Sequence, residues 1–243
     1  MIYLILDDYF SLLTAIFTAY EKRHSNIEVY SSFNQLSFIN EVIEISPQND
    51  KASRVDKKLK SIMRLKSYKE IKIALKSGLD NKLTVIFNYL LDTINANADI
   101  SDNFTNKNVY AFNEIVKKVK LEIHHLKGFI RFSKTKEGIY YARFKPDNNV
   151  CENIFFHFIK RYFSMPFILH DEKYNVICAY NGKNVKIVNK KTPPLKIKDD
   201  VSKLFKIYCD TVNIKERKNL KLMKNYLPKR YQVNMPEKDE LLF

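Results

Sequence analysis

The sequence has no tryptophan, and its 243 residues include only four glycines, seven prolines and three cysteines. So few glycines and prolines exclude collagen-like and low-complexity chains. The cysteines, Cys151, Cys178 and Cys209, are far apart in the sequence and form no C-x-x-C pair, which favours reduced thiols over a disulfide scaffold. They are also too scattered to indicate an iron–sulfur cluster. We therefore expect no cofactor.

Long hydrophobic runs are missing as well. The most apolar stretches, at residues 1–6 and 83–91, are far shorter than the roughly 20 residues that a membrane-spanning helix needs. The N-terminus has no basic start followed by an apolar run, so a signal peptide is not expected. These absences predict a soluble cytoplasmic protein that does not associate with a membrane.

Several well-defined catalytic motifs are absent. The sequence has no P-loop and no G-x-G-x-x-G, which argues against nucleotide hydrolysis and dinucleotide binding. It has no G-x-S-x-G nucleophile motif and no H-E-x-x-H or other close-spaced pair of metal ligands. A metal site built from His124, His157, His170 and Asp171 would require folding to bring together groups that are scattered along the chain. Histidines that form hydrogen bonds or contact phosphate are the favoured interpretation, so we expect no bound metal.

The strongest compositional feature is a net charge of +15. Such a charge predicts attraction to polyanions, either nucleic acid or an acidic partner. The alternative is that lysine is abundant because the source genome is rich in A and T. A hydrophobic content of 45%, with 13% aromatic residues, excludes a disordered chain.

Periodicity predicts an α+β fold in two sections, which could also form one continuous domain. Residues 1–100 are expected to form an α-rich N-terminal section after an opening strand. A polar stretch at residues 96–106 is expected to link it to an α+β core with a basic, helical C-terminal tail, residues 107–243. In the first section the predicted elements are a strand at 1–7, a short strand at 27–30 and helices at 9–23, 52–65, 67–75 and 81–95.

The second section is expected to hold a small antiparallel sheet with packed helices. Gly128 is predicted to end the first of these helices, and Asp147 or Asn148 is predicted to cap the second. The predicted helices are 108–127, 149–163 and 199–212, and the predicted strands are 129–132, 139–144, 166–170, 176–180 and 185–188. Turns that contain a glycine are predicted at 136–138 and 181–184.

Residues 117–171 contain four of the five histidines, together with arginines, lysines and acids. Phosphate recognition needs cationic side chains, and exposed bases stack on aromatic rings. We therefore predict a nucleic-acid-binding set at the helix-to-strand junction, on the second helix and in the basic tail. The set is His124, His125, Lys127, Arg131, Arg161, Arg217, Lys229 and Arg230. The alternative for each residue is a solvated basic surface, with the phenylalanines of this stretch serving as core.

Acid–base chemistry is the second hypothesis for this stretch. Glu122 borders the apolar face of its helix, so burial could shift its pKa, and His157 near Arg161 could act on a base or a sugar. Glu122, His124 and His157 are therefore the candidate catalytic residues. Arg161 follows His157 by one helical turn on a helix that is apolar nearly all round, so both are expected to point inward or into a cleft. The alternative is that Glu122 pairs structurally with a lysine or an arginine.

One run of motifs resembles a known bacterial family. The motifs are E-x-H-x-x-K-G-F-x-R-F at residues 122–132, Y-A at 141–142, P-D-x-N at 146–149 and H-F-x-x-R at 157–161. The family is a domain of unknown function described as probable DNA-metabolism proteins. Its members are typically encoded beside a radical-SAM protein presumed to modify or repair DNA, and some are fused to a uracil-DNA-glycosylase-like domain. The chain departs from the family at His125, where members usually have arginine, and at Phe167, Phe205 and Gln232, where members often have tryptophan.

The resemblance implies a cytoplasmic protein of DNA metabolism or repair. Its expected partners are DNA and a radical-SAM iron–sulfur protein, and it is expected to act as an accessory or binding protein more than as a stand-alone enzyme. The alternative is a DNA-acting hydrolase, either a nuclease or a glycosylase, that uses Glu122, His124 and His157.

Overall fold

The computed structural model describes residues 1–31, 41–135, 137–193 and 231. Within these residues the chain forms six helices and eight strands in two sheets, so the predicted α+β class is confirmed. The chain divides into two units, Met1–Leu121 and Glu122–Phe243. The division into sections at residues 1–100 and 107–243 stays a prediction.

The first unit is built on a small parallel sheet. Its strands are β1 (Ile2–Leu4), β2 (Glu28–Tyr30) and β3 (Val42–Glu44), arranged in the order β2-β1-β3. Helix α1 (Tyr9–Lys22) follows β1 and begins at Asp8, whose side chain accepts a hydrogen bond from the Ser11 amide at 2.9 Å. Strand β3 was not predicted.

Three further helices complete the predicted α-rich section. They are α2 (Asn49–Ile62), α3 (Leu65–Ala74) and α4 (Lys82–Ala96), each within a few residues of its predicted bounds. Their apolar stripes meet in one core because residues three and four apart lie on the same face of a helix. Fully buried members of that core include Leu12, Leu13, Ile16, Leu59, Ile71, Ile86 and Phe87.

Helix α5 (Lys107–Phe129) is longer than predicted. It continues through Gly128, which does not adopt a left-handed conformation, and the Ile130 amide donates to the Leu126 carbonyl at 3.0 Å. Leu126 and Ile130 are both buried, so the helical turn is retained because it places both side chains in the core. The predicted cap at Gly128 and the predicted strand at 129–132 are therefore wrong.

The second unit contains a five-stranded sheet in the order β4-β5-β6-β7-β8. The sheet is mixed, not wholly antiparallel as predicted, because β5 and β6 pair in parallel and helix α6 connects them. Parallel neighbours need such a crossover connection. The predicted glycine turns are confirmed by left-handed φ angles of 81° at Gly138 and 93° at Gly182. The elements are β4 (Ser133–Lys134), β5 (Tyr140–Phe144), α6 (Cys151–Arg161), β6 (Phe167–Asp171), β7 (Val176–Tyr180) and β8 (Val185–Asn189).

Helix α6 differs from its prediction at its start and in its burial. Val150 precedes the helix and makes no side-chain capping bond, so neither Asp147 nor Asn148 is the cap. The helix is also buried on one side only. Ile154, Phe155 and Phe158 are buried, whereas Phe156 is 50% exposed.

Two remaining predictions concern the C-terminal part and the membrane. The predicted helix at 199–212 and the candidate residues Arg217, Lys229 and Arg230 lie outside the described residues. Tyr231 is described, and its side chain is buried. In the part of the chain that the structure describes, every helix is too short or too polar to cross a lipid bilayer.

Candidate functional site

A pocket of about 480 Å³ opens in the second unit where the end of α5 meets α6 and the strands β5 and β6. Its walls come from the segment between α5 and β4, from the last turns of α6, and from the first residues of the two strands. The lining residues are Lys127, Gly128, Ile130, Arg131, Phe132, Tyr140, Phe158, Arg161, Tyr162, Met165 and Phe167. Three of the predicted nucleic-acid-binding residues are therefore brought together here.

Aromatic rings form a rigid base for this pocket. The Phe132 ring lies edge-on to three others, with centroid distances of 5.0 Å to Phe158, 5.5 Å to Phe167 and 5.8 Å to Tyr162. Edge-to-face packing at such distances is favourable and fixes the rings against one another. The rings of Phe158 and Tyr162 are parallel, with centroids 5.8 Å apart.

Three cationic side chains, Lys127, Arg131 and Arg161, contribute to the wall. Arg131 donates from Nη1 to the Gly128 carbonyl at 2.6 Å, which orients its guanidinium group. The Arg161 guanidinium lies 5.6 Å from the centroid of the Tyr162 ring, within cation–π range. None of the described lining residues is acidic. The pocket therefore combines a positive potential with an apolar base.

His157 lies one turn before Arg161 on α6 and is half-buried. Burial, followed by the charges of Lys127, Arg161 and Lys160, lowers the pKa of its imidazole. The neutral ring is therefore the favoured form at pH 7, and it can accept a proton and can donate or accept a hydrogen bond beside the pocket cations. Arg161 itself is exposed and lines the pocket. Of the two positions expected for His157 and Arg161, the interior or a cleft, the structure therefore gives the cleft for Arg161.

Glu122 points away from this pocket into the protein. Its Oε1 accepts from the Asp147 amide at 2.7 Å and from the Tyr231 hydroxyl at 3.0 Å, and its Oε2 accepts from the Asn148 amide at 2.9 Å and from Asn148 Nδ2 at 2.5 Å. The side chain is buried. These four donors, not a lysine or an arginine as hypothesised, balance the carboxylate.

The two neighbouring histidines have different surroundings. His124 is exposed, and its ring lies 6.1 Å from that of His125. The half-buried His125 ring lies 5.8 Å from Phe129, whose ring is in turn 5.6 Å from Tyr231. Neither histidine lines the pocket, although His124 lies one turn before Lys127 on α5.

A shallower depression shares Ile130 and Arg131 with the pocket. Arg143 and Lys145 of the β5 region line it, and both pair with Glu172, at 3.4 Å and 3.1 Å. Two cations therefore share one carboxylate. The positive surface extends beyond the pocket along this side of the unit.

His170 and Asp171 are buried at the end of β6. The Tyr141 hydroxyl and His170 Nδ1 share a hydrogen bond of 2.8 Å, and burial lowers the pKa of this histidine. A fully buried imidazole in this position cannot contact phosphate. Within residues 1–31, 41–135, 137–193 and 231, no three histidine, cysteine, aspartate or glutamate side chains cluster closely enough to hold a metal ion.

Asp171 is expected to make stability depend on pH. Its Oδ1 accepts from the amides of Lys173 and Tyr174, whereas its buried Oδ2 has no hydrogen-bond partner among the described residues. Burial raises the pKa of the carboxyl from 3.8 to about 6. Because the folded state binds this proton more tightly, the free energy of unfolding should fall by about 2 kcal/mol as the pH rises from about 4 to about 6.

The variant Asp171→Asn tests this expectation, because it keeps the Oδ1 acceptor and removes the titrating group. Urea unfolding of both proteins is measured between about pH 4 and pH 7. The difference between their free energies of unfolding at each pH cancels the contributions of the other titrating groups. The wild-type protein should lose about 2 kcal/mol relative to the variant across this range. A difference that does not change with pH would contradict the expectation.

Two of the cysteines meet in the core, which their spacing did not predict. The Sγ atoms of Cys151 and Cys178 are 3.7 Å apart, and both side chains are buried. The hydrogen bond to Cys178 and then burial raise the pKa of the Cys151 thiol. Both are free thiols. Cys209 lies outside the described residues.

The pocket aromatics are the functional candidates that sequence reasoning missed, because the phenylalanines of this stretch were interpreted as core. Phe158 and Phe167 are indeed buried, but Phe132, Tyr140 and Tyr162 are only half-buried. The order strand–helix–strand was the available signal. It predicts parallel pairing of β5 with β6, which places Tyr140 opposite Phe167.

Fold and site together define an α+β protein with a cationic, aromatic pocket in its second unit. The profile of the domain of unknown function DUF4130 matches residues 80–237, which include the whole pocket, and the chain belongs to this family. No curated protein and no solved structure matches the chain.

Proposed function

We propose that the chain binds nucleic acid through the pocket and acts in DNA metabolism or repair. The observation that carries this proposal is the convergence of Lys127, Arg131 and Arg161 on an aromatic pocket with no acidic residue among its described lining. Cationic side chains bind phosphate, and aromatic faces bind bases regardless of sequence. The net charge of +15 adds long-range attraction for a polyanion.

DNA is the expected polymer because of the resemblance to probable DNA-metabolism proteins. The same resemblance supports a radical-SAM iron–sulfur protein as a partner, to which this chain would deliver DNA in the cytoplasm. Copurification of an iron–sulfur protein with the tagged chain from its own source is the result expected for such an accessory role. Turnover of damaged DNA by the isolated chain would favour an enzyme instead.

The alternative, a nuclease or glycosylase using Glu122, His124 and His157, requires these groups to act on one substrate. Glu122 and His124 are two residues apart on α5, which separates their directions by about 200° around the helix. Glu122 is buried and its two oxygens accept four hydrogen bonds, whereas His124 is exposed. Among these three residues, Glu122 faces the interior, whereas His157 lies near enough to Lys127 and Arg161 for their charges to lower its pKa. The geometry therefore favours binding.

The salt dependence of the binding constant is expected to report the number of phosphates that the protein contacts. For single-stranded DNA the slope of log K against log salt is about −0.7 per neutralised phosphate, so the three pocket cations alone predict a slope of about −2. Fluorescence anisotropy with labelled single- and double-stranded DNA across a salt series measures this slope. Absence of binding at low salt would refute the proposed function.

A further inference from the structure

The pocket has the dimensions of a site for a small organic group. Its volume of about 480 Å³ lies within the range of roughly 300 to 1,000 Å³ that is usual for such sites. It is also preformed, because Phe132 is held between Phe158 and Phe167 by edge contacts of 5.0 and 5.5 Å. A flat ring could therefore enter without reorganising the aromatic base.

Three of the pocket rings retain surface for a ligand to cover. Phe158 and Phe167 are only 2% and 1% exposed, whereas Phe132, Tyr140 and Tyr162 are half-buried. Stacking on aromatic side chains recognises any base, since every base has a π-face. The half-buried rings are thus the available stacking surface, and the buried rings support it.

Cations lie beside these rings. The Arg161 guanidinium is 5.6 Å from the centroid of the Tyr162 ring, and Lys134 Nζ is 5.9 Å from that of Tyr140. A ligand that matches this arrangement has a flat, uncharged ring with anionic groups attached at its edge. A nucleobase carried on a sugar-phosphate has this composition.

The positive surface continues from the pocket into the adjoining depression. Arg131 lines both the pocket and the adjoining depression, in which Arg143 and Lys145 share the single carboxylate of Glu172. An anionic ligand that uses both places needs more than one phosphate. The arrangement therefore favours a strand over a free mononucleotide.

We infer that the pocket receives one unstacked base of a single nucleic-acid strand, and that the neighbouring phosphates lie along Arg131, Arg143 and Lys145. This inference rests on the proposed function and adds the form in which the polymer is recognised. A paired base in a duplex is not available to the pocket unless it leaves the stack, which costs free energy, whereas a base in a single strand is already accessible.

Photocrosslinking places the base directly. The probe is an oligothymidine of about 12 nucleotides, within the usual site sizes of single-strand binders, that carries one central 5-iodouracil. After irradiation of the complex with the full chain, peptide mass spectrometry should find the adduct at Phe132, Tyr140 or Tyr162. Adducts only elsewhere, from an oligonucleotide that binds by anisotropy, would overturn the inference and leave the proposed function intact. An oligonucleotide that does not bind would refute both.

Two sets of variants separate stacking from the phosphate path. Tyr140→Leu keeps an apolar side chain but removes the ring, and should weaken oligonucleotide binding about tenfold, whereas Tyr110→Leu on an exposed part of the first unit should not. The double variant Arg143→Ala/Lys145→Ala should weaken the oligonucleotide severalfold and leave binding of thymidine monophosphate unchanged. If the monophosphate binds as tightly as the oligonucleotide and the double variant binds both normally, the strand path is wrong.

Discussion

Reversing two pocket charges, Lys127→Glu together with Arg161→Glu, is expected to weaken binding of single-stranded DNA on the order of 1000-fold at about 50 mM salt. Each change removes a cation from the pocket and puts a carboxylate in its place, so attraction to phosphate becomes repulsion. The salt slope should also become shallower by about 1.4, because two phosphate contacts are lost. Anisotropy across the same salt series measures both quantities.

A matched control carries the same change in net charge in the first unit. Lys57 and Lys66 are exposed on α2 and α3, and their replacement by glutamate should weaken binding far less than the pocket variant. Far-UV circular dichroism shows whether each variant keeps its fold. If both double variants lose affinity equally, binding depends on net charge alone and the pocket has no special part in it.

Most local structure in this chain was predictable because it is encoded over short distances. The stripe that includes Leu83, Ile86 and Phe87 predicted α4, and the glycines at 138 and 182 predicted turns that require a left-handed φ. These signals depend only on the spacing of apolar residues along one helix, or on a single residue without a side chain. They therefore survive without knowledge of the rest of the fold.

Gly128 shows where local signals fail. A glycine after an amphipathic run usually ends a helix, but here the burial of Leu126 and Ile130 favours another turn. The tertiary environment outweighs a preference of about 1 kcal/mol. Strand 129–132 was wrong for the same reason, since its first residue belongs to the extended helix.

The site was predicted in composition but not in arrangement. Lys127, Arg131 and Arg161 were chosen for their charge, and the fold brings them to one pocket. The aromatic base was missed because it depends on β5 and β6 pairing in parallel and on α6 crossing between them. Such contacts join residues up to 35 positions apart, as with Phe132 and Phe167, and no local pattern encodes them.

The replacement Glu122→Ala is expected to lower the free energy of unfolding by about 4 kcal/mol. The carboxylate accepts hydrogen bonds from the amides of Asp147 and Asn148, from the Asn148 side chain and from the Tyr231 hydroxyl, all in a buried position. Alanine would remove the acceptor that these donors share at the point where the chain turns into α6. Urea unfolding, followed by circular dichroism, measures the loss.

Two companion variants make the result specific to this network. Glu114→Ala is the same chemical change on the same helix, but it removes only a 3.5 Å pair with Lys117, so it should cost less than about 0.5 kcal/mol. Tyr231→Phe removes one of the four bonds and should cost about 1 kcal/mol. A catalytic Glu122 predicts the opposite pattern, because a group positioned for chemistry can be removed with little loss of stability while turnover disappears. If Glu122→Ala unfolds within about 1 kcal/mol of the wild-type protein, the carboxylate is not structural and the hydrolase hypothesis becomes the stronger one.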